Sequence, residues 1–401
     1  MKKLIILIWS CLSFVVHAQE AVDIFGYFES QLMGARIKSE FLQLQSNKVR
    51  VDLEGHLNKN VTFGANFNTI TYHGKTQWPI LDLLPQSVQN DAAELNLMGI
   101  EMDPYTLIFE DRSYLDNAFA RISFSKIDLT IGKQQLSFGT GYAWNPTDLF
   151  NIKDLMDPAY EQPGHNGIRL DWLLSNKTTW TLVYSVDAKW AYSTKLCQFN
   201  TRLGHFDVAL IGAETSWKVH DYTQLNLSLT SPGFVQMTDK RHMLGMNWAG
   251  ELFGLGFWGE AAHHALKINS DYQDVLLGLD YTFNDGSYVM GEYFFNGQGK
   301  SHQSQYQLND WMRFLAAEQK TMTRQQVYAI ALFPVTDFMK LGMSSIFVLT
   351  DNSVALLPTL NWSVSENVEL VAYGNIYAGK ETAVYHPGLG SGGMIRAKVY
   401  F

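Results

Sequence analysis

Apolar and polar residues alternate with a period of two along much of the chain. Over residues 224–230, Leu225, Leu227 and Leu229 interleave with Gln224, Asn226, Ser228 and Thr230. Val49, Val51, Leu53 and Leu57 interleave with Arg50, Asp52, Glu54 and His56, and Val275, Leu277, Leu279 and Tyr281 with Asp274, Gly278 and Asp280. Successive side chains of a strand point to opposite faces, so each segment has one apolar and one polar face. A soluble sandwich would turn the apolar faces inward; a transmembrane barrel would turn them to lipid.

Three features favour the barrel. The chain ends on an alternating segment, with Ile395, Ala397, Val399 and Phe401 on one face and Arg396, Lys398 and Tyr400 on the other. Such a strand ending in an aromatic residue resembles the closing strand of bacterial outer-membrane barrels, which their assembly machinery reads. Tryptophans gather near segment ends, at Trp172, Trp180, Trp190, Trp217, Trp248, Trp258 and Trp362, as interfacial girdles would require. Connections also alternate between tight and long. Tight turns are expected at 58–60, 125–126, 175–177, 218–221, 251–254, 284–286, 336–337 and 365–367. The largest links lie near 73–109, 141–165, 298–323 and 380–393. Short periplasmic turns and long outer loops are the barrel pattern. The tally is about 18 strands, all antiparallel and up-and-down; 16 remain possible, because residues 191–204 could hide a strand, and the link 350–353 is short for its side. One phase break stands out: Ile127, Leu129 and Ile131 share a face, then Leu136 and Phe138 follow on the opposite parity. Either a bulge lies near 132–135, or the chain there turns its side chains toward a packed loop.

The first residues read as an export signal rather than as fold. Lys2 and Lys3 precede the apolar run Leu4–Val16, and Val16-His17-Ala18 is a small-residue cleavage site. Roughly 13 apolar residues fall short of the ~20 that a spanning helix needs. Residues 1–18 are therefore expected to be a cleaved signal peptide and 19–401 a single barrel domain. Loss of Lys2 and Lys3 takes the formal charge from −9 to −11, and Cys197 becomes the one remaining cysteine, so no intrachain disulfide can form. Charged residues are only 17% of the 401, without any long basic stretch, which argues against nucleic acid as a partner.

The most distinctive stretch is Ile131-Gly-Lys-Gln-Gln-Leu-Ser-Phe-Gly139, followed by Thr-Gly-Tyr-Ala-Trp-Asn-Pro-Thr-Asp-Leu-Phe-Asn151. It resembles a family of largely uncharacterised, porin-like bacterial outer-membrane β-barrels with a Gly-Arg-Gln strand followed by Trp-Gly and Asn-Pro-Thr-Asp-Leu-Phe. Lys133 stands in place of the Arg and Phe138 in place of the Trp. The resemblance implies a porin-like barrel and brings no catalytic residue and no substrate.

Read physically, Asn145 can cap a helix, Pro146 suits its first position, and Asp148 sits in its first turn. Leu149, Ile152, Leu155 and Met156 would give it an apolar stripe. Folded inward, this loop would narrow a channel through Trp144, Asn145, Pro146, Thr147, Asp148 and Phe150; otherwise it caps the rim. A second loop helix is expected over 306–319, from Leu308, Trp311, Met312 and Leu315 at helical spacing. The apolar segment Trp78–Pro85 should pack against something. These three segments form either a plug or a set of rim loops packed on one another.

No enzyme constellation emerges. Gly254-Leu-Gly-Phe-Trp-Gly259 matches a dinucleotide pattern but lies in an alternating segment without the helix that pattern needs. His263 and His264 are adjacent, so on a strand they face opposite ways and cannot share a metal. No catalytic residue, cofactor or metal ligand is expected. Polar-face residues that would line the lumen are Arg50, Asp52, Glu54, His56, Arg121, Arg169, Asp171, Arg396 and Lys398, with Asp280 and Glu292. Both signs occur, whereas a strongly ion-selective pore would show a ring of one sign. Phe25, Tyr27, Tyr373, Tyr377 and Tyr400 share that parity. The expected function is passive passage of small hydrophilic solutes across a bacterial outer membrane, since barrels of this strand number can hold an aqueous lumen. The alternatives are a gated conduit for a polysaccharide or apolar compound, or a plugged barrel acting as adhesin, scaffold or surface enzyme. Expected partners are outer-membrane lipid, periplasmic chaperones, the barrel-assembly machinery and small solutes.

Overall fold

The computed structural model describes residues 22–38, 40–96, 106–157, 160–226 and 233–401. The expected leader and residues 227–230 lie outside this set. The strands are β1 (Val22–Ile37), β2 (Glu40–Asn58), β3 (Val61–Gly74), β4 (Gln77–Pro79), β5 (Thr106–Ile108), β6 (Arg112–Phe124) and β7 (Ile127–Gln135). Next come β8 (Gly164–Ser175), β9 (Thr178–Ser185), β10 (Thr194–Leu203), β11 (Phe206–Asn226), β12 (Gly233–Leu252) and β13 (Leu255–Leu266). The chain continues as β14 (Tyr272–Thr282), β15 (Tyr288–Asn296), β16 (Gln325–Thr336), β17 (Met339–Val348), β18 (Ser353–Ser365), β19 (Val368–Ala378) and β20 (Ser391–Tyr400). Two helices, α1 (Gln86–Asn96) and α2 (Leu308–Leu315), lie in connections.

Eighteen strands form one antiparallel sheet, and β4 and β5 make a separate two-stranded ribbon. β1 pairs with β2 on one side and β20 on the other, so the sheet closes on itself. Closure leaves no unpaired edge, which a lipid environment requires because it offers no water to unpaired backbone groups. At the seam, Gly26 and Phe401 exchange two backbone hydrogen bonds of 3.0 Å. Tyr27 opposes Tyr400, their rings edge to face at 6.0 Å. The alternation sorts as expected: Ile395, Val399 and Phe401 are exposed on the outer wall, while Arg396 is buried inside.

Short turns gather at one end of the barrel. Side-chain oxygens of Asn58, Ser175 and Thr336 accept the N–H two residues on, at 2.9, 3.2 and 3.2 Å, the local bond that makes such residues turn formers. In the β12–β13 turn, Phe253 and Gly254 both adopt positive φ, at 57° and 79°, as a two-residue turn matched to strand twist demands. Gly254 thus belongs to a hairpin turn, and Gly259 lies beneath the Trp248 ring with no room for a Cβ.

The count of 18 stands, but one turn is displaced. Residues 218–221 are not a turn; they run through the middle of β11, with Lys218 opposite Thr238 and Asp221 opposite Val235. The turn lies at Gly204-His205, and residues 191–204 hold β10. The expected tryptophan girdle also loses two members. Trp258 points inward and donates from Nε1 to Glu292 at 2.7 Å, and Trp217 lines an internal cavity with Asp148 and Lys320.

The phase break is not a bulge. β7 keeps continuous register with β6 through Lys133 and with β8 through Gln135. The chain then leaves the wall and turns inward, where Leu136 and Phe138 are buried against Val183, Leu196, Ala209, Ile211, Met243 and Ala262. The inner face of β9–β13 is apolar at these positions because it packs on this loop.

Candidate channel constriction

The described residues of the connection between β7 and β8, 136–157 and 160–163, enter the barrel and are held on nearly opposite walls. The first grip is Glu260 on β13, whose side chain shares the inward parity of Ala262 and is fully buried. Its carboxylate accepts the N–H groups of Thr140 at 2.5 Å, Gly141 at 2.7 Å and Thr147 at 2.9 Å. It also accepts the Thr147 hydroxyl at 2.7 Å and Asn145 Nδ2 at 3.3 Å. Glu292 on β15 takes the next two donors, the N–H groups of Tyr142 and of Ala143 (2.6 Å for the latter). Consecutive N–H groups converging on an anion form a nest, which is how backbone alone can satisfy a buried carboxylate.

Glycine makes this wrapping possible. Gly139 has φ of 93°, and a Cβ there would sit 2.5 Å from Glu260 Oε1. A Cβ on Gly141 would meet the Trp144 carbonyl oxygen at 1.8 Å. Lys153 reaches back to donate to the Gly141 and Tyr142 carbonyls at 2.7 and 2.8 Å. Burial pushes its pKa down, against the opposing pull of Glu292, Glu260 and Asp148. From a second loop, Lys320 donates to the Asn145 carbonyl; burial lowers its pKa, countered by Asp274, Glu260 and Asp148.

The expected helix after Asn145 does not form. Asn145 directs its amide to the Gly141 carbonyl and to Glu260 instead of capping. Asp148 closes a compact turn, accepting from Phe150 N, Asn151 N and Asn151 Nδ2 at 2.8, 3.2 and 2.9 Å. Trp144 stacks on Phe294 with centroids 5.2 Å apart, and Phe150 packs on Phe138 and His165. Trp144, Asn145, Thr147 and Asp148 are all buried. The stretch Trp144–Phe150, including Pro146, is therefore the part anchored on the wall. The edge of the loop that lines the internal cavities lies further on, at Lys153, Asp154, Asp157, Tyr160 and Glu161.

The second grip is Glu161. It accepts Tyr27 Oη at 2.6 Å, Lys48 Nζ at 2.7 Å and Arg50 Nη1 at 3.3 Å, with Lys398 Nζ at 3.5 Å. Burial alone would raise its pKa, but hydrogen bonds from Lys48 and Tyr27 and the charges of Lys48 and Lys398 outweigh it and hold the carboxyl at about 2. Tyr27, Lys48 and Lys398 belong to β1, β2 and β20. β13 lies eight places from β1 round the eighteen-strand ring, close to diametrically opposite. One loop thus crosses the bore.

Asp157 and Tyr160 line cavities on both sides of this crossing, about 630 Å³ against β16–β19 and about 800 Å³ against β1–β3 and β6. Both cavities are lined by polar and apolar side chains together, Lys153 and Asp154 beside Ile330 and Leu357 in the first, Lys48 and Arg396 beside Met33 and Leu44 in the second. Over the β14–β18 side, α1 (through Val88 and Ala92), α2 (through Leu308, Trp311 and Met312), Leu84 and Val384-Tyr385 share one apolar cluster with Trp144. The apolar segment near Pro85 and the Trp311 helix thus pack on one another and on the inward loop. Asp351 holds two flanking loop residues of the cluster, accepting Tyr306 Oη at 3.0 Å and Val384 N at 2.9 Å.

The lumen candidates divide into groups. Arg50, Asp52, Arg396 and Lys398 converge around Glu161 and Glu29: Arg50 grips Asp52 at 2.8 Å, Lys398 lies 3.2 Å and Arg396 3.7 Å from Glu29. Arg169 and Asp171 pair at 2.7 Å on β8, and Arg121 donates to Thr130 Oγ1 at 3.3 Å on the neighbouring wall. Glu54 and His56 are exposed near the short-turn end and join neither group. Sequence reasoning missed Glu260, Lys48, Lys153, Lys320 and Glu161. Of these, Glu260 carried a signal, an acid on the same parity as Trp258, Ala262 and His264. His263 and His264 do face opposite sides, one exposed and one buried.

No protein-family model and no curated protein matches the chain. Among solved structures, it resembles OccAB4 of Acinetobacter baumannii at 9% identity, covering 95% of this chain and 97% of the other, with a TM-score of 0.57. OccAB1 of the same organism gives 10% identity, 96% and 99% coverage and a TM-score of 0.57. A mutant of the Rh. blastica porin overlays less closely, at 11% identity, 95% and 100% coverage and a TM-score of 0.46. At these identities the likeness is one of fold, that of a bacterial outer-membrane barrel.

Proposed function

We propose that the protein is a porin-like channel of the bacterial outer membrane, passing small hydrophilic solutes by diffusion around an inward loop. The observation that carries this reading is the loop gripped by Glu260 and Glu292 on one wall and by Tyr27, Lys48 and Lys398 on the other, with a cavity on either side lined in part by charged residues. Four cations (Lys48, Arg50, Arg396, Lys398) face four carboxylates (Glu29, Asp52, Asp157, Glu161) at the narrowing. Balanced charge of this kind suits neutral or zwitterionic solutes better than a single ion class. Export by a cleaved leader and insertion by the barrel-assembly machinery belong to the same reading, and no catalytic role is part of it.

A second reading, a gated conduit for one substrate class, is favoured by the apolar cluster of α1, α2 and residues 383–385 over part of the mouth. Single-channel conductance of the refolded barrel tests both. Steady steps that widen when residues 145–157 are deleted support the diffusion channel. Conductance only after deletion supports the gated conduit. Silence from both folded proteins overturns the channel reading.

A further inference from the structure

The outer wall carries charge where an outer-membrane barrel should meet lipid. Leu196, Ala213 and Met243 pack on the inward loop, so their neighbours Lys195, Glu214 and His242 face outward. Lys195 Nζ and Lys240 Nζ lie 2.8 and 3.0 Å from the same oxygen, Glu214 Oε1, and His242 Nδ1 lies 3.9 Å from Oε2. One carboxylate cannot neutralise two lysines. Lys189 and Lys218 stand nearby over the Tyr192 ring, against the single acid Asp187, so the patch keeps a net charge of +2 with His242 neutral.

The position is as specific as the charge. Outward residues on the short-turn side of this patch are apolar, with Leu182, Leu210 and Leu244 well exposed. Those beyond it on β11 and β12 (Ser216, Thr238, Gln236) are polar. The patch therefore marks the upper edge of the lipid-facing band, at the long-loop end, which is the outer leaflet in barrels of this kind. Trp190 lies there too, exposed, with Lys195 5.3 Å from its ring centre. Directly below, a groove of about 560 Å³ runs between Ile168, Leu170, Leu182 and Cys197. Its floor is Gly212, where a Cβ would meet nothing within 4 Å.

We infer that this groove and its lysine head form a binding site for a phosphorylated, acylated lipid of the outer leaflet. An acyl chain fills the space left by Gly212, and a phosphate bridges Lys195 and Lys240, supplying the negative charge that Glu214 alone lacks. The site depends on the outward wall and not on solute passage, so a silent channel would leave it standing.

The test is native mass spectrometry of the detergent-extracted full barrel with bis-phosphorylated lipid A as probe. Wild type is expected to retain one lipid. K195Q/K240Q should lower retention about tenfold or more, given the usual strength of lysine attraction to anionic lipid, while K195R/K240R should preserve it. Dephosphorylated lipid A should bind as weakly as the Gln variant. Gly212→Phe, whose Cβ enters open space on the outer wall, should displace the acyl chain and leave conductance unchanged. Inorganic phosphate should fail to displace the lipid. Equal retention by wild type and K195Q/K240Q, or no effect of Gly212→Phe, would overturn the proposal. So would displacement by phosphate alone, or a mass of two or more barrels joined through this face. Heat-modifiable gel mobility confirms that each variant is folded.

Discussion

Glu260 and Thr147, 113 positions apart, meet through two hydrogen bonds: Thr147 N and Oγ1 donate to the same carboxylate oxygen at 2.9 and 2.7 Å. That contact fixes the start of the inward loop to β13, and Asn247 Nδ2 adds a third bond to Thr147 Oγ1 at 3.3 Å.

Glu260→Ala should free the loop. It leaves the N–H groups of Thr140, Gly141 and Thr147 buried without an acceptor, each at a cost of about 1–3 kcal/mol. The expected outcome is noisier and larger conductance steps and new protease cleavage between residues 136 and 163. Unchanged steps would show that the carboxylate does not hold the loop.

Gly139→Ala should act on the same segment without removing a hydrogen-bonding group. A side chain there combines positive φ with a close approach to Glu260, and such backbone strain costs of order 1–3 kcal/mol. Thermal unfolding in detergent should fall, and loop proteolysis should rise, relative to the neighbouring Ser137→Ala.

The second grip should depend on pH. The folded-state pKa of Glu161 is depressed to about 2, so its contribution is complete above the ordinary carboxylate value and is lost as pH falls through the folded one. Channel noise should be flat from neutral pH to about 5 and rise toward about 2. Glu161→Gln should be noisy throughout. Noise in wild type that rises already near neutral pH would contradict the assignment.

Selectivity should respond to the balance of charge at the narrowing. Lys398→Glu reverses one of the cations facing Glu29 and Glu161, and the reversal potential in a salt gradient should move toward cation preference. No movement would place the solute path away from this cluster.

Much of the barrel was legible because parity is a local property. Arg396 and Lys398 could be placed on the inner face from their neighbours alone, and closure followed from the alternating last strand. The displaced turn has a physical cause. Lys218-Val-His-Asp221 looks like a loop because β11 runs on past the lipid edge, where the outward face has no reason to be apolar. β10 was obscured because its inward Leu196 packs on Leu136 while its outward Lys195 meets the interface, the reverse of the usual polarity. The helix expected after Asn145 failed because its capping groups are drawn to Gly141, Glu260 and the turn at Asp148 instead. Glu161 could not be found locally at all, since its meaning comes from Tyr27 and Lys48, 134 and 113 positions away.

Those partners have a consequence for assembly. Tyr27 and Lys48 lie on one side of the junction between first and last strands, and Lys398 lies on the other. Glu161 therefore works as an internal clasp across the zip that turns a curled sheet into a cylinder. Closure of the ring and the narrowing of the bore are coupled through one side chain. A barrel that begins to unzip there loosens its own obstruction, and a chain that lacks the obstruction closes with one fastening fewer.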